Sequence, residues 1–248
     1  MLVLETHSKE TLQKNSNLKK SHIFEKIEIL ITRLNLNKQV KTKLYKMTEM
    51  IECVKAKGVQ WVDKMLEGDI TKTKPGSISY LLFGEKPSEQ SINIKMGRFG
   101  EFLSKEFIKS MPTMMLLVCG VQKINDKKKD VDLIFKDEEN KVIYYRELKG
   151  NIELDTEKLP ATIAKCKEIE TSLQATYPEY KIDCGVLNWS VYDRRILTAG
   201  LSNIKAFEDG GVKITHMGDF LATIGVTWSE EDFYSYFRTI GLKIRDGM

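Results

Sequence analysis

The stretch KKKDVDLIFKDEENKVIYYRELKGN, residues 127–151, decides how this chain is read. Two runs rich in Val, Ile, Phe and Tyr flank a polar turn between Asp137 and Lys141, the pattern of a β-hairpin. Side chains alternate faces along a strand, so Asp130, Asp132 and Ile134 share one face while Val131, Leu133 and Phe135 share the other. On the returning strand Tyr145, Glu147 and Lys149 share a face, with Leu148 opposite.

The turn sets which residues meet. A four-residue loop at 137–140 pairs Lys136 with Lys141 and hence Asp130 with Glu147. A loop at 138–141 pairs Asp137 with Val142 and puts Asp132 opposite Glu147. A three-residue loop at 138–140 sets Asp132 against Arg146 and breaks the facial match, because a one-step slip turns every side chain over. Both four-residue registers keep the acids and Lys149 on one face, and the choice between Asp130 and Asp132 stays open.

Directly opposed Cα atoms lie only ~5 Å apart. Two carboxylates at that spacing repel unless a cation intervenes. Oxygen ligands at this density suit Mg²⁺, a hard ion that binds through one or two carboxylates and keeps several waters or a phosphate. Lys149, one strand step beyond Glu147, can reach the same water or phosphate, so the set fits metal-dependent phosphodiester chemistry.

Outward from the hairpin, residues 22–35 and 37–66 have apolar residues at helical spacing, and 68–96 reads as loop with at most a short strand at 78–83. Helix resumes near Arg98, with Phe99, Phe102, Leu103, Phe107 and Ile108 together and Glu101 at the edge of the stripe. MMLLVCGVQKI and DVDLIF read as strands before the hairpin's second arm, and a long helix follows with Leu159, Ile163, Cys166, Ile169 and Leu173 on one side. CGVLNWSVY (184–192) and GVKITHM read as strands, and Ser229 caps a final helix. The order implies an α/β fold in which a mixed β-sheet is flanked by helices.

Asp132 followed by Leu-Ile-Phe, then Glu147-Leu148-Lys149, then a helix and an apolar strand, resembles the PD-(D/E)XK nuclease superfamily, and within it a type II restriction endonuclease. The similarity covers roughly 97–192 and departs from the family pattern at Val131, where proline would stand. It implies a restriction-endonuclease-like sheet with an N-terminal helical region. Asp132 and Glu147 would bind Mg²⁺, the Leu148 carbonyl would add a ligand, Lys149 would be the catalytic lysine, and Glu101 would offer a further acid. Asp130 competes with Asp132 as first ligand. The implied activity is Mg²⁺-dependent, site-specific cleavage of double-stranded DNA by a homodimer, with a cognate DNA methyltransferase protecting the same sequence. A junction resolvase or repair nickase on the same core, or a non-catalytic nucleic-acid-binding protein, are the alternatives.

The division expected is an N-terminal region, 1–96, for DNA contact or dimerisation, and a nuclease core with C-terminal extension, 97–248. Residues 1–60 carry 12 Lys and Arg against 6 Asp and Glu, while the remainder carries 27 against 29, which suits a basic arm near a polyanion. Lys127, Lys128, Lys129, Asn151, Lys72 and Lys74 are further candidates for phosphate contact. Four isolated cysteines show no zinc spacing, and no apolar run is long enough to span a bilayer. A cytoplasmic location without membrane association is the expectation.

Overall fold

A computed structural model of the chain describes residues 38–68, 71–152 and 158–246. The expected helix at 22–35 lies outside them. Contacts divide the chain into two units, 1–49 and 50–248, and the first described helix, α1 (Lys38–Glu67), runs through that division. Helix α3 (Glu89–Ser110) in turn runs through residue 96.

Five strands form the central sheet: β1 (Met114–Leu116), β4 (Leu133–Asp137), β5 (Val142–Lys149), β6 (Lys181–Asn188) and β7 (Lys213–His216), ordered β1-β4-β5-β6-β7. The first two pairings are antiparallel and the last two parallel. Strands β2 (Gly120–Ile124) and β3 (Lys127–Val131) make a separate two-stranded sheet. The mixed sheet flanked by helices was therefore legible in sequence, but the splitting off of β2 and β3 into a second sheet was not. MMLLVCGVQKI breaks into β1 and β2 around Gly120, which takes φ 91°, a left-handed conformation glycine adopts without steric penalty. DVDLIF breaks at Asp132, which stands between the pairs of the two sheets.

Helix α4 (Leu159–Thr176) supplies the β5–β6 crossover and buries Cys166, Ile169 and Leu173 against Ile134, Ile143, Tyr145 and Val186. Helix α5 (Leu201–Asp209) adds Ile204 and Phe207 to the same core. A second packing region holds the 50–67 part of α1, α3 (Glu89–Ser110), α6 (Met217–Thr223) and α7 (Glu230–Asp246). Phe99 and Trp189 both contact Phe237, Phe107 contacts Trp228, and Phe135 meets Phe220 edge-on. Burial of such aromatic groups is the main driving force for seating these helices.

Three expectations are corrected. Ile78–Phe83 is a short helix, α2, with Ser77 accepting the Tyr80 N–H at its start, where a strand was expected. Helix α3 begins at Glu89, nine residues before Arg98, because Ser88 caps it by accepting the Ser91 N–H. Strand β6 ends at Asn188, so Trp189 to Tyr192 leave the sheet.

Candidate active site

The register of β4 and β5 runs from Leu133 opposite Arg146 to Asp137 opposite Val142, so the turn occupies 138–141. Asp137 fixes it by accepting the Asn140 N–H at 2.9 Å and the Asn140 side-chain amide at 2.7 Å. Lys141 closes the turn at φ 53°. Continuing that register by one pair sets Asp132 opposite Glu147. Asp130 instead pairs with Val121 in the β2–β3 hairpin and is exposed, so the turn sets Asp132, and not Asp130, across from Glu147.

Leu148 N–H donates to Asp132 Oδ2 at 2.8 Å. A residue's N–H and C=O point to the same edge of an extended strand, so the Leu148 carbonyl also faces the Asp132 side, beyond the last β4 pair. Glu147 is buried and Lys149 half-buried, with Lys149 Nζ 3.7 Å from Glu147 Oε1. Burial pushes Asp132 from its usual 3.8 up to about 7, and the Glu147 charge adds to the rise. Lys165 and the Leu148 N–H oppose it, and Glu101 pushes it further up. Two neighbouring acids with a backbone carbonyl on the same side are an oxygen donor set that Mg²⁺ accepts. Among the described residues no three His, Cys, Asp or Glu side chains gather to hold a metal ion by themselves, so such an ion would lean on that carbonyl and on water.

The other candidates are distributed unevenly. Glu101 acts on Asp132 electrostatically while pairing with Lys105 at 3.2 Å. Lys129 pairs with Glu168 at 2.6 Å, and Lys127 and Lys128 are exposed on the hairpin. Lys72 is tied to Glu85 at 2.6 Å, and Lys74 is exposed beside the short helix. Asn151 lines a cavity of about 280 Å³ that starts at Gly150, one residue beyond Lys149, and also takes in Asn188, Ser190 and Thr198.

Two site residues were missed as such. Lys165, on α4, donates to Glu147 Oε2 at 2.5 Å, and the buried Tyr145 hydroxyl donates to the same oxygen at 2.7 Å. Burial works against the Lys165 charge, but Glu147, aided by Asp132 and Asp130, outweighs it and holds the ammonium above its ordinary pKa. Burial, with Glu147 beside it, also drives the Tyr145 phenol upward, so it stays protonated as a donor. Lys165 lies three residues after Thr162 and four before Ile169, both buried, a spacing that puts it on the sheet-facing edge of α4.

No protein-family model matches the chain, and no curated protein is significantly similar to it. No helix among the described residues is long and apolar enough to cross a membrane.

Proposed function

We propose that this chain is a Mg²⁺-dependent endonuclease that hydrolyses phosphodiester bonds of duplex DNA in the manner of a type II restriction enzyme, on a restriction-endonuclease-like core. The observation that carries the reading is that the β4–β5 register, continued by one step, faces Asp132 with Glu147, with Lys149 two residues on along the same face. Purely structural charge on a sheet surface would not need two acids held together in partial burial at the end of the parallel strands, where α/β sheets bind their ligands.

Asp132, Glu147 and the Leu148 carbonyl would hold the ion. Mg²⁺, when bound, supplies Lewis-acid polarisation of the phosphate and a more acidic water. Lys149, within reach of the same space, orients the attacking water or stabilises the phosphoryl oxygens. Lys127 and Lys128 are exposed on the β2–β3 hairpin and offer phosphate contacts, as do Lys72, Lys74 and Asn151 more remotely. Two copies of the chain would address the two strands, in the cytoplasm beside a methyltransferase that protects the same sequence.

The test is incubation of plasmid and phage DNA with and without Mg²⁺, alongside Glu147→Ala and Lys149→Ala. Discrete fragments from the parent, absent without the ion and absent in both variants, are expected. Cutting that survives in the variants removes the assignment, and binding without cleavage under every divalent ion makes the chain a non-catalytic DNA binder.

A further inference from the structure

Helix α4 brings to the site a residue that the hairpin does not contain. Lys165 Nζ and the Tyr145 hydroxyl converge on one oxygen of Glu147, Oε2, at 2.5 and 2.7 Å. The other oxygen, Oε1, has Lys149 Nζ at 3.7 Å, beyond hydrogen-bond range. On the facing acid the Leu148 N–H takes Oδ2 of Asp132 at 2.8 Å. Among the described residues, the hydrogen bonds to these two acids thus all fall on Oε2 and Oδ2, leaving Oε1 and Oδ1 for anything else that binds.

We propose that Lys165 is a positioning residue that, with Tyr145, withholds Oε2 of Glu147 and presents Oε1 alone, so that the pair takes a single divalent cation through one oxygen of each acid. This rests on the reading of Asp132 and Glu147 as cation ligands. An ammonium beside a carboxylate could instead be a placeholder that an arriving cation expels. Tyr145 argues against that role, because a neutral, buried hydroxyl aimed at the same oxygen carries no charge for a cation to replace. The Lys165 side chain is only 18% exposed, so its stem is packed and its ammonium is held at Oε2. One oxygen per acid also suits the tight octahedral shell of Mg²⁺ better than the larger shell of Ca²⁺, which takes bidentate carboxylates.

Calorimetric titration of the full chain with Mn²⁺, with free ion followed by electron paramagnetic resonance, tests this. The parent is expected to bind one ion. Lys165→Met is expected to bind it about 10–100-fold more weakly, the usual cost of losing a partner of a ligating carboxylate, with Tyr145→Phe weaker by less and Lys165→Arg retaining most of the affinity. Circular dichroism checks that each variant is folded, and Lys165→Gln, which keeps a donor without the charge, replaces the methionine variant if that one fails to fold. Unchanged or tighter binding after the charge is removed overturns the proposal and makes Lys165 a placeholder, as does a stoichiometry of two ions in the parent. Asp132→Asn and Glu147→Gln separate the two levels. Binding that survives both variants puts the ion elsewhere and overturns the site reading along with this proposal. Binding lost in both but unmoved by Lys165→Met overturns the role of Lys165 alone.

Discussion

At the scale of single residues, Asp132 makes the apo protein sensitive to pH in an unusual sense. An unfolded aspartate titrates near 3.9, whereas the folded Asp132 is held up to about 7 by burial and by Glu147. Between those values the folded state keeps a proton that the unfolded state has lost, so stability falls as pH rises, by up to about 1.4 kcal/mol per unit. The contribution is whole below pH 4 and gone above pH 7. Denaturant unfolding from pH 4 to 8 is expected to show this fall in the parent, its absence in Asp132→Asn, and its reversal at pH 8 on adding Mg²⁺. Gly100 is a second sensitive position. A Cβ there would meet the Trp189 ring at 2.3 to 2.6 Å, so Gly100→Ala forces α3 and Trp189 apart at a cost of about 1–3 kcal/mol, read as a lowered melting temperature. Glu147 and Lys149 were legible because they share a face by strand alternation, whereas Asp132 was separated from Asp130 only by the length of the turn. Lys165 was not legible, since a lysine flanking an apolar stripe reads as solvated, and only the crossover that lays α4 over β5 turns it toward Glu147.

At the scale of elements, local chemistry fixed what periodicity left open. The four-residue turn at 138–141 is held by Asp137 and Asn140, and its length sets Asp132 across from Glu147, one step beyond the last β4–β5 pair. The break at Asp132 had no signal, because apolar alternation runs unbroken from Val131 to Phe135 while the backbone passes from one sheet to the next. Helix α2 was misread since Ile78, Leu81, Leu82 and Phe83 look like a buried strand but are 65% or more exposed, leaving the Ser77 cap to decide their conformation. The start of α7 was legible: Ser229 Oγ accepts the Asp232 N–H at 3.1 Å, and three acids follow in the first turn. Ser229→Ala is expected to cost about 1 kcal/mol in thermal or denaturant unfolding, because Phe233 and Tyr236 of that helix pack on Trp228 and Phe237 packs on Trp189.

At the scale of the whole molecule, the mixed five-stranded sheet with helical cover followed from the order of patterns, because a hairpin followed by a helical crossover admits few topologies. The excess of basic charge in the first quarter of the sequence includes Lys43 and Lys46, which are exposed on α1. If the chain binds duplex DNA, Lys43→Gln and Lys46→Gln are expected to weaken it about equally for every sequence. Each lost phosphate contact should flatten the plot of log affinity against log salt by about 0.9, measured by fluorescence anisotropy at several salt concentrations. An unchanged slope would place the polyanion on another face. The β2–β3 hairpin gives the molecule one mechanical property besides. It joins β4 through Asp132, whose backbone belongs to neither ladder, while Ile124 and Val131 seat it in the core that α4 covers and Lys129 ties it to Glu168 of that helix, so a load on the hairpin tip is shared between a candidate ligand and α4. Whatever grips Lys127 and Lys128 therefore pulls at once on the Asp132 backbone and on the helix that holds Glu147 through Lys165.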